Sequence, residues 1–385
     1  MTPAARLDAA ITILDRILAG TPAEQALTSW ARASRFAGSK DRAAIRDHVF
    51  DVLRCKRSCA HLGGSETGRG LILGRLRQSG QDPATLFTGE GHAPAPLSEE
   101  EAHHSPDPMP ELVALDCPDW LAPALRASLG EAFAPIMQAL RHRAPVFLRI
   151  NTGRMTRAEA IKALNEDGIT TTPHPLALTA LEITANPRAL RRSHLYRDGL
   201  VELQDAASQA VIAALPQLKG ARVLDYCAGG GGKALAMAAL GADVIAHDAH
   251  PQRMADLPAR AARARARITL SNAPSGPFDL VLTDVPCSGS GAWRRSPVGK
   301  WSLTPARLSE LHRLQAAILD QVAPRVRPGG SLAYATCSLL NSENAGQIAA
   351  FLSRAPEFER AAEHRFTPLD GGDGFFLAIL TRKSL

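Results

Sequence analysis

The sequence predicts an α/β protein: a doubly wound sheet preceded by a small α+β module and an all-helical N-terminal domain. Three observations carry this. After Gly199, short apolar runs alternate with helical stretches, the pattern of a largely parallel sheet. Leu7, Ile11, Leu14, Ile17 and Leu18 form one stripe at helical spacing near the start of the chain. Within the first of these regions, Val223-Leu224-Asp225 runs into Tyr226-Cys227-Ala228-Gly229-Gly230-Gly231-Gly232-Lys233, a glycine-rich turn that opens a helix. With 385 residues, the chain has room for several domains.

The elements follow in order. Residues 1–84 read as the helical domain, with a second amphipathic helix over 40–59 that buries Ile45, Val49, Val52 and Leu53; Gly63-Gly64 stops it. Residues 85–117 mix Pro, Gly, Glu and His without a period, as a linker would. Residues 118–200 form the α+β module: a helix over 121–140, a strand over 146–150, a helix over 156–165 and short extended segments over 176–183. Residues 201–385 supply the sheet, with strands at Arg222–Asp225, 243–247, Ile268–Leu270, 278–283 and 331–336. The glycine run Asp370-Gly371-Gly372-Asp373-Gly374 then precedes a closing strand over 375–380.

Composition bounds the function without choosing it. The formal charge is +6, and 37 of the 44 basic residues are arginine. Arginine forks onto phosphates and stacks on bases, which favours a nucleic-acid partner, although a GC-rich gene gives the same bias. Six cysteines (55, 59, 117, 227, 287, 337) at irregular spacings do not describe a disulfide framework. Cys55 and Cys59 lie one helical turn apart and could chelate a metal with His48 or His61, but free cysteine usually packs as a small hydrophobe. His92, His103 and His104 fall in the polar linker. No metal is therefore expected. No run approaches 18 apolar residues, and Arg6, Asp8, Asp15 and Arg16 interrupt any signal core, so a cytoplasmic protein is expected.

The glycine loop asks for a ligand. Asp248 ends the strand after the loop, 23 residues beyond Asp225, placed to hydrogen-bond ribose hydroxyls. An ATP loop would need a hydroxyl at position 234, where Ala234 stands. Gly229-x-Gly231-x-x-Ala234 formally fits a dinucleotide fingerprint, a weak pattern by itself. Asp225, directly before the loop, would repel a pyrophosphate and suit a cation. S-adenosyl-L-methionine, with its sulfonium and amino-acid end, is the favoured cofactor.

Asp284-Val285-Pro286-Cys287-Ser288-Gly289 and Tyr334-Ala335-Thr336-Cys337-Ser338 each place a cysteine just past a strand. The carboxyl ends of parallel strands face the ligand crevice, so both sulfurs should reach one pocket. Methylating C5 of a pyrimidine needs a thiolate to attack the neighbouring ring carbon first, splitting one hard step into easier ones. An acid at ring N3 must help, and Asp284 can supply it; a second thiol can assist expulsion of the first. Spacing alone does not rank the two sulfurs.

These residues resemble a family. The 225–233 loop is similar to the cofactor loop of the NOP/Sun RNA 5-methylcytosine methyltransferases. The segments 284–291 and 334–338, continued by Asn341-Ser342-Glu343-Asn344, look like its two cysteine motifs. Gln204-Asp205-Ala206-Ala207-Ser208 and the stretch from Arg294 to Trp301 extend the likeness, which runs from about Pro118 to the C-terminus. The resemblance implies a class I, Rossmann-like methyltransferase domain with Cys337 as nucleophile and Cys287 aiding product release. It implies cofactor contacts from Asp225, Cys227, Ala228, Gly229, Gly230, Gly231, Gly232, Lys233, Asp248, Asn272 and Asp284; Arg253 is a further candidate near the cofactor. Leu148-Arg149-Ile150-Asn151-Thr152 matches the opening strand of the family's small RNA-positioning domain, and the N-terminal region is similar to the NusB-like RNA-binding domain of its bacterial branch. The chain departs from the pattern at Gly229-Gly230, where Ala-Pro is usual, at Ala234, usually Thr, and at Asn272, often an acid against adenine.

Arg294, Arg295, Lys300 and Trp301 follow the first cysteine motif, and clamping phosphates or stacking on bases would use such residues at a pocket mouth. The expected activity is that of a monomeric RNA (cytosine-5) methyltransferase acting on small-subunit ribosomal RNA. The alternatives are a tRNA-directed enzyme, a catalytically silent RNA-binding or assembly factor of the same fold, and a nicotinamide-dependent reductase.

Overall fold

The computed structural model describes residues 1–384, which divide into two compact units. One comprises Met1–Arg143 together with Trp293–Ser302; the other comprises Ala144–Ala292 and the chain from Leu303 onward. A short excursion, directly after the first cysteine motif, thus belongs to the helical unit.

The helical unit is built from helices Pro3–Leu18, Ala23–Ala33, Ser39–Arg54, Lys56–Gly63 and Gly68–Gln78. Thr2 caps the first, its hydroxyl accepting from the Ala5 amide, with Pro3 at the first helical position. Ile13, Leu14, Ile45, Val49, Val52, Leu71 and Ile72 make the core. The last two helices cross backbone against backbone. A Cβ on Gly63 would overlap the Gly70 carbonyl, and one on Gly74 the Cys59 carbonyl, so both positions require glycine.

Two expected boundaries move. The 85–117 stretch is no free linker: Phe87 is buried in the helical core, and Arg69 grips Glu101 at 2.6 and 2.8 Å. Asp116, fully buried, accepts from the Ser58 amide and hydroxyl and from Arg141. Aperiodic, polar sequence holds there through side-chain hydrogen bonds rather than an apolar face. Helices Ala122–Leu129 and Phe133–Leu140, expected in the α+β module, fall in the helical unit.

The second unit carries two sheets. The smaller is antiparallel, in the order β2-β3-β1-β4: β1 (Phe147–Ile150), β2 (Thr170–Pro173), β3 (Ala180–Ala185) and β4 (Val201–Leu203). The larger has seven strands: β5 (Arg222–Asp225), β6 (Asp243–Ala246), β7 (Ile268–Leu270), β8 (Phe278–Asp284), β9 (Val326–Thr336), β10 (Phe358–Phe366) and β11 (Phe375–Arg382). Their order is β10-β11-β9-β8-β5-β6-β7, parallel from β9 to β7, with β11 antiparallel to both β9 and β10. This is the Rossmann-like sheet, and the chain order reverses between β5 and β8. Such a switch point opens a crevice beyond the carboxyl ends of those strands. Strand β10 was not expected: its Glu359, Arg360, Glu363 and Arg365 mask the apolar alternation, as charges on an edge strand do.

Among the described residues no helix is long and apolar enough to cross a membrane, and no group of three His, Cys, Asp or Glu is arranged to hold a metal. All six cysteines are free thiols.

Candidate active site

Three adjacent parallel strands build the site. β5 ends at Asp225, β8 at Asp284 and β9 at Thr336, with Asp225 in register with Leu282 and Asp284 with Ala335. The glycine loop, the Pro-Cys loop and Cys337 therefore leave the sheet side by side.

The loop after β5 turns through Gly229 (φ 52°) and Gly231 (φ 78°), and Gly231 caps the helix Gly232–Ala239 from the left-handed region. Asp248 is buried behind it, one oxygen accepting from the Gly229 amide at 2.9 Å, the other from the His250 amide at 2.9 Å; Arg253 lies 3.3 Å away. In front of the loop is a cavity of about 260 Å³, walled by Asp225, Cys227, Lys233, Asp284, Arg253 and Gln204 among others.

Asp225 is the telling residue in that cavity. It is buried, and neither carboxylate oxygen has a hydrogen-bond partner. Burial pushes its pKa up to about 7, with Lys233 opposing, Asp284 adding to the rise and the Ala234 amide favouring the carboxylate. A bound cation or donor would satisfy both oxygens, which is what the amino-acid end and sulfonium of S-adenosylmethionine bring. The residues present fit that cofactor. Asn272, by contrast, is exposed beyond β7 and is not among the cavity's walls.

Lys233 reaches across to Asp284 at 2.6 Å. Burial works against its charge, but Asp284, then Asp225 and Cys337, hold it protonated, so its pKa lies above the ordinary lysine value. The sulfurs of Cys287 and Cys337 stand 3.5 Å apart. The bond to Cys337, then burial, then the negative charges of Cys337 and Glu343 push the Cys287 thiol far up. Burial beside Asp225, Asp284 and Asp248 pushes Cys227 up as well, so it is an inert wall residue rather than a third nucleophile.

This arrangement has known counterparts. Residues 212–381 match the family model of the 16S rRNA methyltransferase RsmB/F, and residues 117–189 match that of the RsmF/B-like ferredoxin-like domain. The chain belongs to the NOP/Sun methyltransferase family. Ribosomal RNA small subunit methyltransferase B of Salmonella arizonae is 34% identical over 285 residues, and that of Cronobacter sakazakii 35%. Each match covers 69% of this chain and 66% of the relative, so it spans just under two thirds of those proteins. In fold, the chain is similar to the crystal structure of PH0851 (TM-score 0.77, 21% identity, 99% of each chain). It is also similar to a methyltransferase homolog from Pyrococcus horikoshii (TM-score 0.63, 24% identity, 71% of this chain and 97% of that one). NSun6 from Pyrococcus horikoshii, solved with SFG, aligns at TM-score 0.60 and 17% identity over 69% of this chain and 98% of that one.

The family's two cysteine motifs are joined from below in this chain by residues to which the sequence reading gave no role. Glu343, fully buried, bonds Ser288 and Ser338, the residues that follow Cys287 and Cys337, and Gln315 bonds both Glu343 and the Pro286 carbonyl. The signal was present: both motifs read Cys-Ser.

The RNA contacts expected after Cys287 are not where the sequence placed them. Lys300 is 1% exposed inside the helical unit, its ammonium donating to the Arg54 carbonyl at 3.0 Å. The Trp301 indole N–H donates to the Leu53 carbonyl at 2.6 Å, and Arg54 donates to the Arg294 carbonyl at 2.6 Å. Arg294 is itself buried; Arg295 is exposed. The end of the Ser39–Arg54 helix has carbonyls without helical partners, and Lys300 and Trp301 satisfy them. A phosphate clamp built on Lys300 is thereby ruled out.

The same unit offers another basic surface. Helices Ala23–Ala33 and Ser39–Arg54 flank a groove of about 700 Å³ lined by Trp30, Arg32, Arg35, Arg42 and Arg46 over Leu27 and Ile45. Arg46 is held by Glu24, and Arg42 donates to the Ala37 carbonyl. Arg32 and Arg35 are exposed and have no hydrogen-bond or ion-pair partner among the described residues.

Proposed function

We propose that this chain is an RNA (cytosine-5) methyltransferase acting on ribosomal RNA of the small subunit, with S-adenosyl-L-methionine as methyl donor. The observation that supports it most is the pair of thiols 3.5 Å apart, linked through the Lys233 ammonium near Cys337 to a cavity whose buried carboxylate lacks a partner. The cofactor supplies an electrophilic methyl group. Asp225 and the backbone of the glycine loop would hold it, with Asp248 fixing that loop through the Gly229 amide.

The Cys337 sulfur bonds to C6 of cytosine, the ring electrons move toward N3, and N3 takes up a proton from solvent, its N–H donating to the Asp284 carboxylate. Asp284 has one oxygen on Lys233 and the other left for the base. Lys233 also places a positive charge near Cys337. C5 would then take the methyl group, the C5 proton would pass to a solvent base, and the C6–S bond would break with its electron pair returning to Cys337, assisted by the Cys287 thiol. For RNA contact, the groove along Arg32 and Arg35 supports a nucleic-acid surface on the helical unit: guanidinium groups for phosphates and Trp30 for stacking.

Cys337→Ser should abolish methyl transfer to small-subunit ribosomal RNA, read by bisulfite sequencing. Cys287→Ser should instead accumulate an RNA–protein adduct that survives denaturing electrophoresis. Full turnover by Cys337→Ser would remove that sulfur as nucleophile, and loss of turnover in Cys287→Ser without any adduct would remove the release role.

A further inference from the structure

A carboxylate that the chemistry above does not use lies beneath the two sulfurs. Glu343 sits in the short turn Asn341–Glu343 and is fully buried. Its Oε1 accepts from the Ser288 amide at 2.8 Å and the Gln315 amide at 3.0 Å. Its Oε2 accepts from the hydroxyls of Ser288 and Ser338, each at 2.5 Å. No ammonium or guanidinium pairs with it among the described residues. Buried carboxylates normally take a cationic partner; this one is met instead by four converging donors. A structural strut could be apolar at lower cost, so a carboxylate kept here needs a use.

Its surroundings suggest one. Ser288 follows Cys287 and Ser338 follows Cys337, so a single carboxylate ties both thiol loops; the Gly291 amide on the Cys337 carbonyl (2.9 Å) and the Leu339 amide on the Ser290 hydroxyl (2.8 Å) complete the tie. The charges around the pair are unequal. Cys287 faces Cys337, Glu343 and the buried Tyr334, whose hydroxyl donates to the Glu343 carbonyl at 2.6 Å. Cys337 has the Lys233 ammonium on its side, itself held between Asp284 and Asp225.

We propose that Glu343 is the positioning residue of the thiol pair: it locks the two loops at the observed separation and, by its charge beneath Cys287, assigns the shared proton to that sulfur and leaves Cys337 as the nucleophile. Two thiolates this close repel, so the pair gives up at most one proton readily, and the protein's field decides which sulfur gives it up. A negative charge on one side and a positive charge on the other act in the same sense. The consequence for catalysis rests on the methyl-transfer reading above; the assignment itself is a property of the free protein.

The test uses full-length protein without RNA. Iodoacetamide alkylation of Cys287 and Cys337 is followed from pH 6 to 10 by peptide mass spectrometry. The wild type should alkylate at Cys337 first. Glu343→Gln, nearly isosteric and neutral, should shift the Cys287 profile to lower pH by about one unit, cutting the Cys337:Cys287 preference roughly tenfold. Glu343→Asp, which keeps the charge, should restore most of the preference. If Glu343→Gln does not fold, Ser288→Ala removes one anchor without removing the charge, and it should loosen the pair, read as slower oxidative cross-linking of the two thiols, while keeping Cys337 the faster sulfur. A folded Glu343→Gln with the wild-type ratio at every pH overturns the proposal, as does a Ser288→Ala variant that loses the preference. Altered selectivity in a protein that never methylates RNA would sustain this assignment and sink only the functional reading.

Discussion

Asp225 shows how a single residue can act against stability in favour of binding. Its folded pKa of about 7 lies above the ~3.9 of an unfolded aspartate, so between those values the folded state holds more protons than the unfolded one. Stability therefore falls as pH rises from about 4 to 7, and the full penalty is present at pH 8. Asp225→Asn should raise the melting temperature of the ligand-free protein at pH 8, with little change near pH 4.5. The same substitution should weaken S-adenosylmethionine binding by calorimetry, because the cationic end loses its counter-charge. In the wild type, affinity should decline as pH falls below 7 and Asp225 takes up a proton, at most about tenfold per unit. A variant both stabler and equally avid would contradict the assignment. Asp225, Asp284, Cys287 and Cys337 were legible because each closes a strand within a local motif. Glu343 was visible only as part of the second motif, without a role: its partner Ser288 is 55 residues away, and a bond of that span cannot be inferred from local spacing.

At the scale of elements, the helix Ser39–Arg54 was found from its apolar stripe, yet its C-terminal end is completed by residues from a distant segment. Lys300 and Trp301 lie almost 250 positions on, in a stretch that sequence reasoning assigned to RNA because its residue types suit phosphate and base. Residue type was read correctly and location was not, since the same ammonium that binds a phosphate also binds a helix-end carbonyl. The burial has a measurable consequence. Burial lowers the Lys300 pKa to about 8, with Asp116 and two cysteines opposing. Between about 8 and the unfolded value near 10.4 the unfolded state holds the extra proton, so stability should rise with pH across that window. Lys300→Met abolishes this dependence while leaving the Arg54 carbonyl without its donor. Urea unfolding at pH 7.5 and 9.5 should show the wild type gaining on the variant by about 2 kcal/mol over that interval. Equal pH dependence of the two proteins would place the ammonium in water instead.

For the whole molecule, the arginine-rich composition pointed to nucleic acid but overcounted the residues free to meet it. Much of that charge is engaged internally: Arg46 with Glu24, Arg57 with Asp119, Arg69 with Glu101, Arg260 and Arg263 with Glu202, Arg327 with Asp279, Arg354 with Asp320. Only a structure separates a guanidinium held by a carboxylate from one that faces solvent, and that separation yields a quantitative expectation. Each phosphate neutralised by a free cation releases counterions, giving a salt slope of about 0.7 per contact on single-stranded RNA. Arg32 and Arg35, free in the groove beside Trp30, should contribute two such contacts. The double variant Arg32→Ala/Arg35→Ala should therefore bind a small-subunit ribosomal RNA fragment more weakly at 50 mM salt and flatten log K against log [salt] by about 1.4. Trp30→Ala should instead lower affinity at every salt concentration and leave the slope intact, because stacking releases no ions. Arg46→Ala serves as the control: its guanidinium already has a counter-charge in Glu24, so its slope should stay near that of the wild type. If the double variant and the Arg46 variant change the slope equally, the groove is not where the backbone runs, and basicity alone explains the binding.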